Sequence, residues 1–227
     1  MGQSLYVTME YLREGDLRSY VESAGLPLQQ RAVQTIASQI LEGLCLLHTE
    51  GFAHRDMKPS NILIVSSPPR PWWVKISDFG LTKRLGSAQT DSGQKGTPAF
   101  TAPEQLGLAS PTAEDTHRAS DMWSLGETVF WLLTKVRTFR DMAALSHYIS
   151  GTSKFPSNML KERKVSPEGI DFVQLCMAPR PDARPLAFAA LEHKWIADSA
   201  PHGAPSSWPA QPSRYACRSC RIDRWSS

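Results

Sequence analysis

The stretch from Asp121 to Thr134 constrains the fold most. Its apolar residues run nearly all the way round a helix, the pattern of a helix buried at the centre of a protein. A second helical signal lies upstream, after Pro27. Val33, Ile36, Ala37, Ile40, Leu41, Leu44 and Leu47 recur at helical spacing on one face, which predicts a long amphipathic helix from about Arg31 to His48. A short helix is predicted to start near Leu17, behind the breaker pair Gly15-Asp16. More helices are predicted around Leu145, over Ile170 to Met177, and over Leu186 to Ile196.

The strand signals are short. Leu5 to Tyr11 is rich in β-branched and aromatic residues. Asn61 to Val65 and Trp73 to Ile76 read as two further strands, joined by a proline-rich turn over Ser66 to Pro71. Thr82 to Thr97 is polar and aperiodic, and reads as a long loop. The predicted fold class is α+β, mainly α. Residues 1–196 form the expected domain, and 197–227, rich in Pro, Ser, Gly and Arg, a disordered tail dispensable for the fold.

Composition narrows the class of function. With 41% hydrophobic and 21% charged residues the chain is globular in type. A formal net charge of +3 is too small to argue for nucleic acid or an anionic membrane as partner. No span is long enough to cross a membrane, since the most apolar run, Trp123 to Leu133, is short and carries Glu127. Met1-Gly2 would suit myristoylation, but position six is Tyr6 rather than Ser or Thr. Cys45 and Cys176 read as small buried hydrophobes. Cys217 and Cys220 form a lone C-x-x-C with no second ligand pair for zinc, and read as a reduced, exposed pair. A reducing intracellular setting, cytoplasm or nucleus, is expected.

The chemistry is carried by spaced motifs. His54-Arg55-Asp56-Met57-Lys58-Pro59-Ser60-Asn61 resembles the catalytic loop of protein kinases, H-R-D-x-x-x-x-N. Asp78-Phe79-Gly80 follows as the D-F-G motif, Ala102-Pro103-Glu104 as A-P-E, and Asp121-Met122-Trp123-Ser124-Leu125-Gly126 as D-x-W-x-x-G. Arg184 matches the late arginine that pairs with the A-P-E glutamate. Five motifs in this order identify residues 4 to 196 as similar to the hinge and C-terminal lobe of a eukaryotic-type protein kinase.

The resemblance implies ATP and Mg²⁺ as cofactors and a protein as substrate; oligomeric state is unspecified. Asp56 would accept or orient the proton of the acceptor hydroxyl, and Asn61 and Asp78 would hold Mg²⁺ against the phosphates. Lys58 would steady the γ-phosphate, and Thr97 would hydrogen-bond Asp56 and Lys58. Both features point to Ser/Thr specificity. Backbone groups of Glu10 and Leu12 would bind adenine, Leu63 would lie under the ring unless it is ordinary core, and Asp16 would bind the ribose. His54 and Phe79 belong to a packed spine, and Asp121 supports the catalytic loop from below. Arg55 and Lys83 would converge on a loop phosphate at Thr90 or Ser92, with Asp91 as a weaker standing charge, unless both cations are simply solvated or paired with nearby acids.

Three parts of a kinase site have no match. No glycine-rich G-x-G-x-x-G, no V-A-I-K-like strand and no partner helix glutamate occur in this sequence, whose first residues already resemble the hinge. The chain is either a piece of a larger kinase or a short product acting without catalysis, as a docking or decoy module. By itself it is expected to be inactive. A small-molecule phosphotransferase of the same fold is a third class, against which the A-P-E motif, the long loop and Arg184 argue.

Overall fold

The computed structural model describes residues 10–84, 99–109 and 116–198, with the backbone alone at 83 and 84. Helices dominate. In chain order the elements are α1 (Leu17–Ala24), α2 (Gln30–Thr49), β1 (Phe52–Ala53), β2 (Ile62–Ser66), β3 (Trp73–Ile76), β4 (Lys83–Arg84), α3 (Thr116–Thr134), α4 (Met142–Ile149), α5 (Asn158–Glu162), α6 (Pro167–Cys176), α7 (Ala187–Leu191) and α8 (Lys194–Ala197). Every element after residue 105 is helical among the described residues.

α3 is the buried centre. Every residue from Ser120 to Phe130 is buried, as are Leu132, Leu133 and Thr134. The helix begins at Thr116, ahead of the apolar run; its first turn is only half-buried and so carries no apolar signal. α2, α5 and α6 pack against it. The α2 face reads as expected, with Val33, Ile36, Ala37, Ile40, Leu41 and Leu44 in the core. Gly126 allows the closest approach of α6 to α3. A Cβ there would meet Met177 Cγ at 2.5 Å and Cys176 Cβ at 3.0 Å.

Two antiparallel pairs stand beside this bundle. β2 pairs with β3 through Ile62↔Ile76, Leu63↔Lys75 and Ile64↔Val74, with an irregularity before Ser66↔Trp73. β1 pairs with β4 through Phe52↔Arg84 and Ala53↔Lys83. Gln39 of α2 locks the first hairpin. Its Nε2 donates to Trp72 O and its Oε1 accepts from Val74 N, both at 2.8 Å.

Several expectations need adjusting. Residues 5–9 of the first expected strand lie outside the described residues, and Glu10 and Tyr11 are not in a strand. The segment Leu186 to Ile196 is two helices rather than one, broken where His193 turns back and its Nδ1 accepts from Trp195 N. α5 carried no periodic signal. Cys176 is buried but Cys45 only half-buried, and neither forms a disulfide. α8 continues through Ala197, one residue into the expected tail, and residues 199–227 lie outside the described residues.

Gly126→Ala should destabilise the fold by about 1–3 kcal/mol, because the added methyl overpacks a site that cannot open without parting α3 from α6. Urea unfolding followed by tryptophan fluorescence would measure it, and an unchanged midpoint would mean that the helices are not so tightly seated.

Candidate active site

The segment from His54 to Asn61 leaves β1 and is held from α3. Asp121 is fully buried, and its Oδ1 accepts from Arg55 N at 2.7 Å while Oδ2 accepts from His54 N at 2.9 Å. His48, in the last turn of α2, places Nε2 at 2.8 Å from the same Oδ2. Arg118 of α3 donates to the His48 carbonyl at 2.9 Å. Arg55 takes a φ of 71°, a left-handed conformation costing roughly 1–2 kcal/mol for a side-chain-bearing residue. The bonds to Asp121 offset that strain and fix the bend that presents Asp56.

Two side chains meet Asp56. Lys58 Nζ lies 2.6 Å from Asp56 Oδ2. Asn61 Nδ2 donates to Asp56 O at 2.8 Å and to Oδ2 at 3.1 Å. The turn Pro59–Asn61 is 3-10, with Asn61 N donating to Lys58 O, which brings Asn61 back toward the aspartate. With its amide nitrogen turned to Asp56, Asn61 is left to present its oxygen elsewhere.

Asp78 arrives at the end of β3 beside Asn61. Ser77 N and Oγ both donate to Asn61 O, at 2.9 and 3.1 Å, and the His54 ring makes a 2.9 Å bond with Ser77 O. Asp78 is also left-handed, with φ 60°, and its Oδ1 accepts from Gly80 N at 3.3 Å. Phe79 meets the buried His54 edge-on, with ring centres 5.4 Å apart, and remains 54% exposed. The expected packing of these two residues is therefore present but open on one side.

The residues expected at a nucleotide gather around β2. Ile62 and Ile64 face the core, and Leu63 faces the other way, half-buried. Asp16 bridges to Leu63 through the backbone. Lys75, opposite Leu63 on β3, reaches Glu10 Oε2 at 2.5 Å. Leu12 is half-buried, and its carbonyl accepts from Gly15 N. The Asp16 carboxylate caps α1, accepting from Ser19 N at 2.9 Å and Ser19 Oγ at 2.8 Å.

Glu104 and Arg184 pair at 2.7 and 2.8 Å, with side chains 1% and 0% exposed. Arg184 also donates to Ala178 O and Ala119 O, and its guanidinium lies 5.0 Å over the Trp123 ring. A buried ion pair needs such extra partners. Lys83 pairs with Ala53 through β4, while its side chain, and Thr90, Ser92 and Thr97, lie outside the described residues.

Three residues of this neighbourhood carry no motif signal. His48 sits on the apolar face of α2, one turn after Leu44, which marks a polar group in a buried row. Ser77 gives no sign except its place before Asp78. Glu127 interrupts the apolar run of α3. It is 2% exposed, its Oε1 accepts from Thr138 N at 3.0 Å, and burial pushes its carboxyl from 4.5 up to about 7 despite the pull of Thr138 and Arg137.

Known proteins are similar to this chain in sequence and fold. The protein kinase domain family matches residues 1–196, and the chain belongs to it. Mitogen-activated protein kinase kinase kinase 5 of Arabidopsis thaliana is 31% identical over 207 residues, covering 89% of this chain and 28% of that protein. Serine/threonine-protein kinase RAD53 of Saccharomyces cerevisiae is 34% identical over 203 residues, covering 86% of this chain and 24% of that protein. The crystal structure of the Rad53 kinase domain and SCD2 in complex with AMPPNP superposes with a TM-score of 0.66 at 31% identity, covering 88% of this chain and 70% of that one. The chain thus spans about a quarter of these two curated relatives.

Asp121→Ala should cost about 3 kcal/mol or more, since it strands two buried backbone donors and His48; chemical denaturation checks this. Glu127 has a distinct signature. Its folded-state value lies above its unfolded one, so the folded chain binds the proton more tightly. Its effect on stability is smallest below about pH 4.5, and it removes about 3 kcal/mol as pH rises to about 7, then levels off. Thermal melts should show that decline in the wild type and lose it in Glu127→Gln; parallel pH profiles would refute the assignment.

Proposed function

We propose that this chain is the hinge and C-terminal-lobe part of a serine/threonine protein kinase and supplies the acceptor side of phosphoryl transfer from ATP to a protein hydroxyl. The observation that carries this is the convergence of Lys58 and Asn61 on the Asp56 carboxylate. A substrate hydroxyl at Asp56 would be oriented toward the γ-phosphorus. As its oxygen bonds to phosphorus and the bond to ADP breaks, its proton passes to Asp56. Lys58 would spread its charge onto the transferred group, and Thr97 would help fix both side chains.

Among the described residues no three His, Cys, Asp or Glu side chains gather as a metal site. That suits Mg²⁺, which takes few protein ligands and shares the rest with phosphate and water. The Asp78 carboxylate and the Asn61 amide oxygen are hard donors of the right kind, and Mg²⁺ held there would neutralise charge on the phosphates. Adenine would lie against Leu63 with the backbone of Glu10 and Leu12 as its partners, and Asp16 would face the ribose while retaining its cap. The AMPPNP complex of the Rad53 kinase domain supports the nucleotide assignment. The two described cysteines outside any disulfide support an intracellular setting, and no helix among the described residues is long and apolar enough to cross a membrane.

This sequence has no glycine-rich phosphate loop and no strand lysine. The chain alone should therefore bind Mg-ATP weakly and transfer no measurable phosphate. Calorimetry should show Mg²⁺-dependent nucleotide binding that Asp78→Ala abolishes. When an upstream segment carrying the loop and the lysine is fused to Met1, transfer to a serine peptide should appear, and Asp56→Ala should lower it by roughly 10²–10⁴-fold without abolishing ATP binding. Transfer undiminished in Asp56→Ala would refute the reading.

A further inference from the structure

A cavity of about 170 Å³ lies beside α3, lined by Ala99, Thr101, Trp123, Glu127, Phe139 and Met142, among others. Trp123, Phe139, Met142 and Leu145 form the apolar part of its wall. The Trp123 and Phe139 rings stack with centres 6.2 Å apart, and Met142 is half exposed at the rim. Glu127 is the one acid in the lining that is buried and has no ion-pair partner among the described residues. Its Oε1 accepts from Thr138 N at 3.0 Å. Three other charged groups face this space. Arg140 and Asp141 neutralise each other at 3.0 Å, and Asp141 also caps α4 through Ala144 N. Arg137 is exposed and unites with neither. Behind α3, the Cys176 thiol is held neutral by burial, and Arg184 is committed to Glu104.

We infer that this cavity takes a basic side chain of the protein substrate, its aliphatic stem against Trp123, Phe139 and Met142 and its charged head on the Glu127 carboxylate. The inference rests on the kinase reading above and adds a specificity-determining residue to it. Its placement follows from α3. Glu127 lies six residues beyond Asp121, about 9 Å along the helix axis. Ser124 Oγ holds Phe100 O at 2.7 Å, which fixes the Ala99–Thr101 wall to the same helix. A cation seated there also removes the penalty on ionising Glu127, since a charge-assisted bond replaces the water that burial excludes.

The first test uses the cavity directly. The ¹⁵N-labelled chain is titrated with n-butylguanidinium and with its neutral isostere n-butylurea, following the Thr138 amide and the Trp123 indole. Saturable shifts with the cation, about tenfold weaker with the urea, are expected. Glu127→Gln, which keeps the bond from Thr138, should abolish the difference, and Arg137→Ala should strengthen cation binding. Equal responses to both compounds, no response, or a preference that survives in Glu127→Gln would overturn the inference. The second test scans one arginine through serine-centred peptides by fluorescence anisotropy. One position should gain affinity and lose the gain in Glu127→Gln. If the cation binds but no peptide position gains, the assignment to substrate falls. The kinase reading fails separately, by Mg²⁺-dependent nucleotide binding that is indifferent to Asp78→Ala.

Discussion

Asp121 is the interaction on which the site depends. It stands inside the most buried helix, where an unpaired carboxylate would be prohibitively costly, and it is paired by the segment it supports together with α2. Two backbone donors from His54 and Arg55 and the ring of His48 saturate it. The segment His54–Asn61 is thus not a loop laid on a surface. It is the hydrogen-bonding solution to a buried carboxylate, and its left-handed turn at Arg55 is held by that demand. α2 enters the same arrangement through His48, so helix, loop and central helix share one polar junction.

A second buried acid-base junction sits farther along. Glu104 and Arg184 lie 80 residues apart and are wholly buried together, with Trp123 beneath the guanidinium. The pair ties the segment around Ala102 to the turn at Pro181–Ala183. Replacing only one partner would leave an uncompensated charge in a dry place. Trp123 serves both this junction and the cavity wall, so the two share an aromatic partition.

Much of the architecture was legible before any coordinates, for a physical reason. α2 and α3 are long enough for apolar spacing to show, and the hairpin from Ile62 to Ile76 carries strand residues on both sides of a proline turn. α5, with five residues, is too short for periodicity to register. The break at His193 depends on a local ring-to-backbone bond that no spacing announces. Asp56, Asn61 and Asp78 stand out in the sequence because they fall at the fixed spacing of the family's motifs, and the fold brings Asn61 onto Asp56. His48 and Glu127 do not, since their partners, Asp121 and the backbone of Thr138, are supplied by tertiary packing. Glu127 in particular reads in sequence only as an interruption of an apolar run.

The single side chain of Gln39 has a consequence for how molecules of this protein meet. A two-stranded ribbon offers unpaired backbone groups along both rims, and such rims invite a strand from a neighbouring chain. Here the β3 rim is occupied where Gln39 takes the Val74 N–H and the Trp72 carbonyl. The β2 rim is occupied where Ile64 N donates to Gly15 O. The hairpin is therefore closed to strand exchange at its middle on both sides, and intermolecular sheet growth has no template there.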